Sequence, residues 1–140
     1  MFAEYLTQDE QQALLKLMAF IIAADGEVKP EEISYLDSVA NSFGNSATGI
    51  FHDIDGVELR SICDAFTREK AKRIALVEVV SSAMSDGVMH PAELKGIEAI
   101  GTMMAVEPDA VDAMLQWVKT GIEWRDEGER LLGLAPPARA

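Results

Sequence analysis

The sequence predicts an all-α fold, a single compact domain of about seven helices built from two pseudo-symmetric helical halves. Three observations predict it. Apolar residues recur at spacings of three and four through most of the chain, and no comparable segment alternates with period two. The stretch Ala24-Asp25-Gly26-Glu27-Val28-Lys29-Pro30-Glu31-Glu32-Ile33 returns at an offset of 61 residues as Ser85-Asp86-Gly87-Val88-Met89-His90-Pro91-Ala92-Glu93-Leu94. An apolar run ends in Asp-Gly in both copies, and Pro restarts a helix with Glu two positions later.

The elements follow in order. Thr7 and Glu10 have the form of a capping box, which starts the first helix near Gln8. Leu14, Leu15, Met18, Ile21 and Ile22 form its apolar face. Gly26 suits the left-handed position that ends a helix, and Pro30 suits a first helical position. Ile33, Leu36, Val39, Ala40 and Phe43 then carry the second helix. Gly44-Asn45-Ser46 and Asp53-Ile54-Asp55-Gly56 break the chain into short helices or turns, followed by a helix from about Val57 to Phe66. Ile74, Val77, Val80 and Met84 mark the next helix, which leads into the second Asp-Gly corner. Pro91 opens the helix of Leu94, Ile97, Ile100 and Met104, and Pro108 opens that of Val111, Met114, Leu115 and Val118. Residues 1–134 read as one helical domain, and the Pro-rich stretch 135–140 reads as a disordered tail. Only two copies at so long an offset indicate paired halves rather than a stacked repeat array.

Charge and cysteine content narrow the function. With 24 acidic and 12 basic residues the formal charge is −12, which disfavours nucleic acid and favours cations or basic protein surfaces. The basic run Arg68-Glu69-Lys70-Ala71-Lys72-Arg73 reads as a solvated helix face rather than a docking patch for an acidic partner. Cys63 is the single cysteine, which points to a reducing compartment and a cytoplasmic location. The apolar run Leu17 to Ala24 is too short to span a bilayer, so direct membrane insertion is not expected.

The repeated corner carries the candidate chemistry. An EF-hand needs oxygen ligands at loop positions 1, 3 and 5, Gly at 6 and Glu at 12. With Gly26 at the sixth position, Asp25 and Glu32 fit, but Ile21 and Ala23 occupy the two leading ligand positions. In the second copy Asp86 and Glu93 fit, while Ser82 and Met84 lead. The loop is therefore not an EF-hand. Asp25 and Asp86 instead fall at the negative end of a helix dipole, where a carboxylate is disfavoured by about 0.3–1 kcal/mol. Two solutions remain open. A divalent cation shared with Glu32 or Glu93 would compensate, helped by Glu27 and Glu31 in the first corner and His90 in the second. Alternatively, each aspartate folds over the corner and accepts hydrogen bonds from amides at the start of the next helix. Hard oxygen ligands favour Ca²⁺, Mg²⁺ or Mn²⁺.

Over about Ala23 to Leu36 and Met84 to Ile97, the chain resembles the TerB-like tellurite-resistance family. That family is all-α, with two related halves that each carry an Ala/Ser-Asp-Gly-x-x-x-Pro-x-Glu-like corner. The resemblance implies a non-catalytic stress-response module, with Asp25, Glu32, Asp86 and Glu93 as metal ligands and a protein partner such as a membrane-associated stress complex. Some relatives carry a J-domain, but His90-Pro91-Ala92 lacks the aspartate of His-Pro-Asp and belongs to the corner. The second corner has Val88 and Ala92 where the first has Glu27 and Glu31, so a single cation would favour the first.

Other conspicuous residues read as structural. Cys63 lies among Leu59, Ile62 and Phe66 at helical spacing, as a buried inert thiol rather than a nucleophile paired with His52. Met103 and Met104 read as core. Trp117 and Trp124, seven apart on one helix, read as packed against the domain, with partner anchoring as the alternative. No phosphate-binding loop, zinc spacing or nucleophile elbow is present, so an enzyme is not expected. The competing function is a protein-interaction scaffold whose acidic corners are only helix caps.

Overall fold

The structure, a computed structural model, describes residues 2–134 apart from 25, 27 and 86. The chain is all-α: among the described residues there are seven α-helices and no strand. After a short 3-10 helix at Ala3–Tyr5 come α1 (Gln8–Ile22), α2 (Pro30–Ser42), α3 (Ala47–Asp53), α4 (Leu59–Cys63), α5 (Glu69–Ala83), α6 (Pro91–Met103) and α7 (Pro108–Leu131). The expected tail, residues 135–140, lies outside the described residues.

Helix boundaries follow the sequence offset. Helices α5 and α6 start and end 61 residues after α1 and α2, and α7 starts 61 residues after α3. Helix contacts correspond as well. α1 touches α2 and α3 as α5 touches α6 and α7; α2 meets α3 as α6 meets α7; and α1 meets α6 as α5 meets α2. α7 departs from the correspondence. Gly56, at φ +72°, lies in the turn that separates α3 from α4, whereas its counterpart Trp117 continues an uninterrupted helix.

The core lies between α1 and α5. Leu14, Leu15, Met18 and Ile22 from α1 and Ala75, Leu76, Val79 and Ala83 from α5 are all buried. Each large apolar side chain in this seam contributes about 1.5–3 kcal/mol relative to exposure. α6 closes over α1 at Gly96, where an added Cβ would come within 2.5 Å of Ile21 Cδ1. No helix among the described residues is long and apolar enough to cross a membrane.

Capping at the first helix is as expected, with one addition. The Thr7 amide donates to Glu10 Oε1 at 2.8 Å, and the Glu10 amide donates to Thr7 Oγ1 at 3.2 Å. Arg68 also reaches Glu10, with Nη2 to Oε1 at 2.5 Å and Nε to Oε2 at 3.2 Å. The Arg68 hydrogen bond holds the Glu10 carboxyl below its ordinary range, against the opposing effect of burial. Thr7 and Arg68 are the N-cap residues of α1 and α5, so this contact joins the two helix starts. The first member of the basic run is thus an ion-pair partner rather than a merely solvated side chain.

Three expectations change. The fourth helix covers only Leu59–Cys63, because the chain turns at Asp64-Ala65 before Phe66 packs into the core. On α5 the buried apolar set is Ala71, Ala75, Leu76, Val79, Val80 and Ala83, with Ile74, Val77 and Met84 only partly covered. The reason is that α1, α2, α6 and α7 surround α5, so even Glu78 and Ser82 are buried. Trp117 and Trp124 do not pack inside the domain: they are 51% and 79% exposed. Val111 and Val118 are the buried residues of α7.

Candidate functional site: the two Asp-Gly corners

Both corners are built by the same backbone turns. α1 ends at Ile22, then the Ala24 amide donates to Ile21 O and the Gly26 amide to Ala23 O, both at 3.1 Å. After α5, the Ser85 amide donates to Ser82 O at 3.2 Å and the Gly87 amide to Met84 O at 2.8 Å. Gly26 and Gly87 have φ of +74° and +88°, a region where a Cβ would be strained. They do not terminate the preceding helices directly, as the sequence suggested. Each helix stops earlier, and the glycine makes a second turn that redirects the chain into Pro30 or Pro91 at the next helix start.

The turns bring the corners together. Lys29 and His90, the N-cap residues of α2 and α6, occupy equivalent repeat positions and meet at 2.5 Å between Nζ and Nε2. Neither side chain caps its own helix. With the lysine charged, its ammonium donates and the imidazole accepts at Nε2, because lysine has no acceptor. The contact links the N-cap positions of α2 and α6, and with them the two corners.

Glu32 and Glu93 occupy the third positions of α2 and α6 and point inward, at 1% and 0% exposure. Both carboxylate oxygens of Glu32 are buried and accept no hydrogen bond among the described residues. A carboxylate is seldom left so: an ionised group out of water needs a donor, a cation or a proton. The positive end of the α2 dipole supplies only part of that compensation.

Asp25 and Asp86, together with Glu27, lie outside the described residues. Glu31 is exposed, and His90 is engaged with Lys29. Among the described residues, no three or more His, Cys, Asp or Glu side chains cluster as a metal site would. The corners also differ in access. Ala23, Ala24, Gly26 and Val28 of the first are exposed, while Met84, Ser85, Gly87, Val88 and Met89 of the second are half-buried.

Sequence reasoning missed Glu78. Fully buried on α5, it accepts the Phe2 amide on Oε1 at 2.9 Å and so ties down the N-terminal segment. Burial and the Glu78 charge together push the nearby Tyr35 phenol up to about 12. One signal was available: position 78 is the repeat counterpart of Leu17, a fully buried residue of α1.

The Cys63 thiol is buried and pushed up to about 11, chiefly by desolvation and then by Asp64. A hollow of about 490 Å³ lies open beside the first corner, lined by Phe20, Ala23, Phe51, His52, Ile54 and Asp55 among others, but by neither corner glutamate. Comparison with protein-family models, curated proteins and solved structures finds no match for the chain.

Proposed function

We propose that this protein is a non-catalytic stress-response module of TerB-like type, in which the first Asp-Gly corner binds a divalent cation through Asp25 and Glu32. The observation that carries the proposal is Glu32, whose buried carboxylate accepts no hydrogen bond among the described residues. The exposure of the first corner gives an ion a route to it, whereas the second corner is more covered. Asp86 and Glu93 form the corresponding lesser site. An all-oxygen donor set of this kind suits Ca²⁺, Mg²⁺ or Mn²⁺, with water and backbone carbonyls completing the shell. The equal helix offsets and the meeting of Lys29 with His90 support two halves related by a local two-fold. A cation at the first corner would brace α1 against α2 without chemistry at the metal.

A second reading rests on Lys29. Its contact with His90 joins the two corners without a metal, which favours a scaffold that recognises a protein, such as a membrane-associated stress complex. Calorimetric titration with Ca²⁺, Mg²⁺ and Mn²⁺, on the wild type and on Asp25→Asn and Asp86→Asn, separates the two. Saturable heat lost in Asp25→Asn supports the cation. No heat and no rise in melting temperature at millimolar cation sinks it in favour of the scaffold.

A further inference from the structure

One face of α7 has a pattern that the fold uses only in part: Met114 packs against the core and Gly128 is half-buried, while the tryptophans between and beside them stay exposed. Met114, Trp117, Gly121, Trp124, Gly128 and Leu131 follow one another at alternating spacings of three and four residues, the seam of a coiled coil. Trp117, Trp124 and Leu131 are 51%, 79% and 74% exposed. Trp117 has a partial neighbour in Phe2, with ring centroids 5.9 Å apart, but Trp124 projects outward. Gly121 and Gly128 are equally unexplained within the chain, since a Cβ at either would meet nothing within 4 Å. Glycine weakens a helix interior relative to alanine, so two on one stripe, Gly121 exposed and Gly128 half-buried, suggest room kept for something outside the chain.

We infer that a second copy of this chain docks along α7, antiparallel, with the tryptophans of each copy seated over the glycines of the other. In an antiparallel pair the two kinds of seam position face each other across the axis. One register then sets Trp117 against Gly128 of the second copy and Trp124 against its Gly121, and the two-fold repeats both layers. Leu131 meets Met114 in the flanking layer. Every large side chain faces a small or flexible one, so the stripe is complementary to itself, as an isologous interface requires.

Charge singles out the same face. Two chains of formal charge −12 repel over most of their surfaces. From Lys119 to Leu131, however, three basic residues stand against four acidic ones, and Arg125 with Glu129 and Arg130 with Glu127 are already paired within the helix. Self-repulsion is therefore small along the seam from Met114 to Leu131, and Asp109 and Asp112 lie beyond its end. The exposed parts of the tryptophans supply on the order of 400–650 Å² over both copies. With the leucines and rim this approaches the roughly 1,200 Å² at the low end of specific interfaces, so the dimer is a weak one with Kd of about 1–100 µM.

Sedimentation velocity from about 1 to 500 µM tests the inference. The wild type should pass from monomer to dimer over this range, more readily at high salt, where repulsion between acidic chains is screened. Trp124→Ala should weaken the dimer at least tenfold. Gly121→Leu should also weaken it at least tenfold by filling the seat, while the dilute monomer melts no lower than wild type. Trp124 and Gly121 are exposed, so neither change disturbs the core. A wild type that stays monomeric to 500 µM overturns the inference, as does a dimer indifferent to Trp124→Ala or unchanged or strengthened by Gly121→Leu.

Discussion

Replacing Glu32 by glutamine opposes the two accounts of the corner in sign. The side chain keeps its shape and loses its charge, and its setting is buried, with no hydrogen bond to either oxygen among the described residues. If the carboxylate is held by a cation, removing that cation leaves a buried charge whose effective penalty is several kcal/mol. A buried glutamine amide lacking partners costs about 1–3 kcal/mol. In the presence of a chelator Glu32→Gln should therefore be more stable than the wild type by about 1–3 kcal/mol. For a chain of 140 residues the unfolding entropy is about 0.3 kcal/mol/K, so the gain is roughly 3–10 °C in melting temperature. Cation at about 100 times its Kd should raise the wild type by about 2.7 kcal/mol, or roughly 9 °C, and leave the variant unmoved. Scanning calorimetry with chelator and with each cation gives the four values needed. Were no cation held there and the charge offset by the positive end of the α2 dipole instead, Glu32→Gln would melt no higher than the wild type in chelator, and cation would move neither protein. That result would refute the cation.

Three further outcomes follow from the packing. Arg68→Met should lower stability modestly at neutral pH, because the exposed Arg68 side chain leaves its pair with the buried Glu10 partly screened. Glu10 has its folded pKa below the ordinary value of 4.5, so the stabilisation is present above that value and fades as pH falls through the folded one; urea melts of wild type and variant should converge in acid. Ala105 has φ +57° just past α6, while its counterpart Gly44 has φ +77° past α2. Ala105→Gly should stabilise by about 0.5–1 kcal/mol and Gly44→Ala should destabilise by a similar amount, measured by urea unfolding, because relief of left-handed strain exceeds the added chain entropy. The Cys63 thiol should resist Ellman's reagent at pH 8 in the folded protein and react promptly in denaturant, since it is buried and pushed up to about 11. Rapid labelling of the native protein would contradict that burial.

Local patterns made much of the fold legible. The Thr7–Glu10 box and the prolines at 30, 91 and 108 mark helix starts at which they are found, because capping and proline geometry depend on a few adjacent residues. The buried residues of α1 were equally readable, since that helix, although five others contact it, carries apolar residues at nearly every covered position. α5 was less so, because polar Glu78 and Ser82 stand at covered positions and interrupt the apolar pattern there. The short α4 escaped for a related reason: Phe66 packs inward from a turn as well as it would from a helix.

At the corners, the chain order of residues determined that Asp-Gly would be followed by a helix opening with a glutamate, and that this would happen twice. Glycine's left-handed freedom and proline's fixed φ are local properties, so they need no distant neighbour. Only the tertiary structure decided that Lys29 and His90 touch, that the oxygens of Glu32 are shut away from solvent, and that Trp117 and Trp124 face outward. These depend on how α1, α2, α5 and α6 pack and on how far α7 extends past the core. Burial and contact are properties of the assembled helices, whereas periodicity records only that each helix has a face to bury.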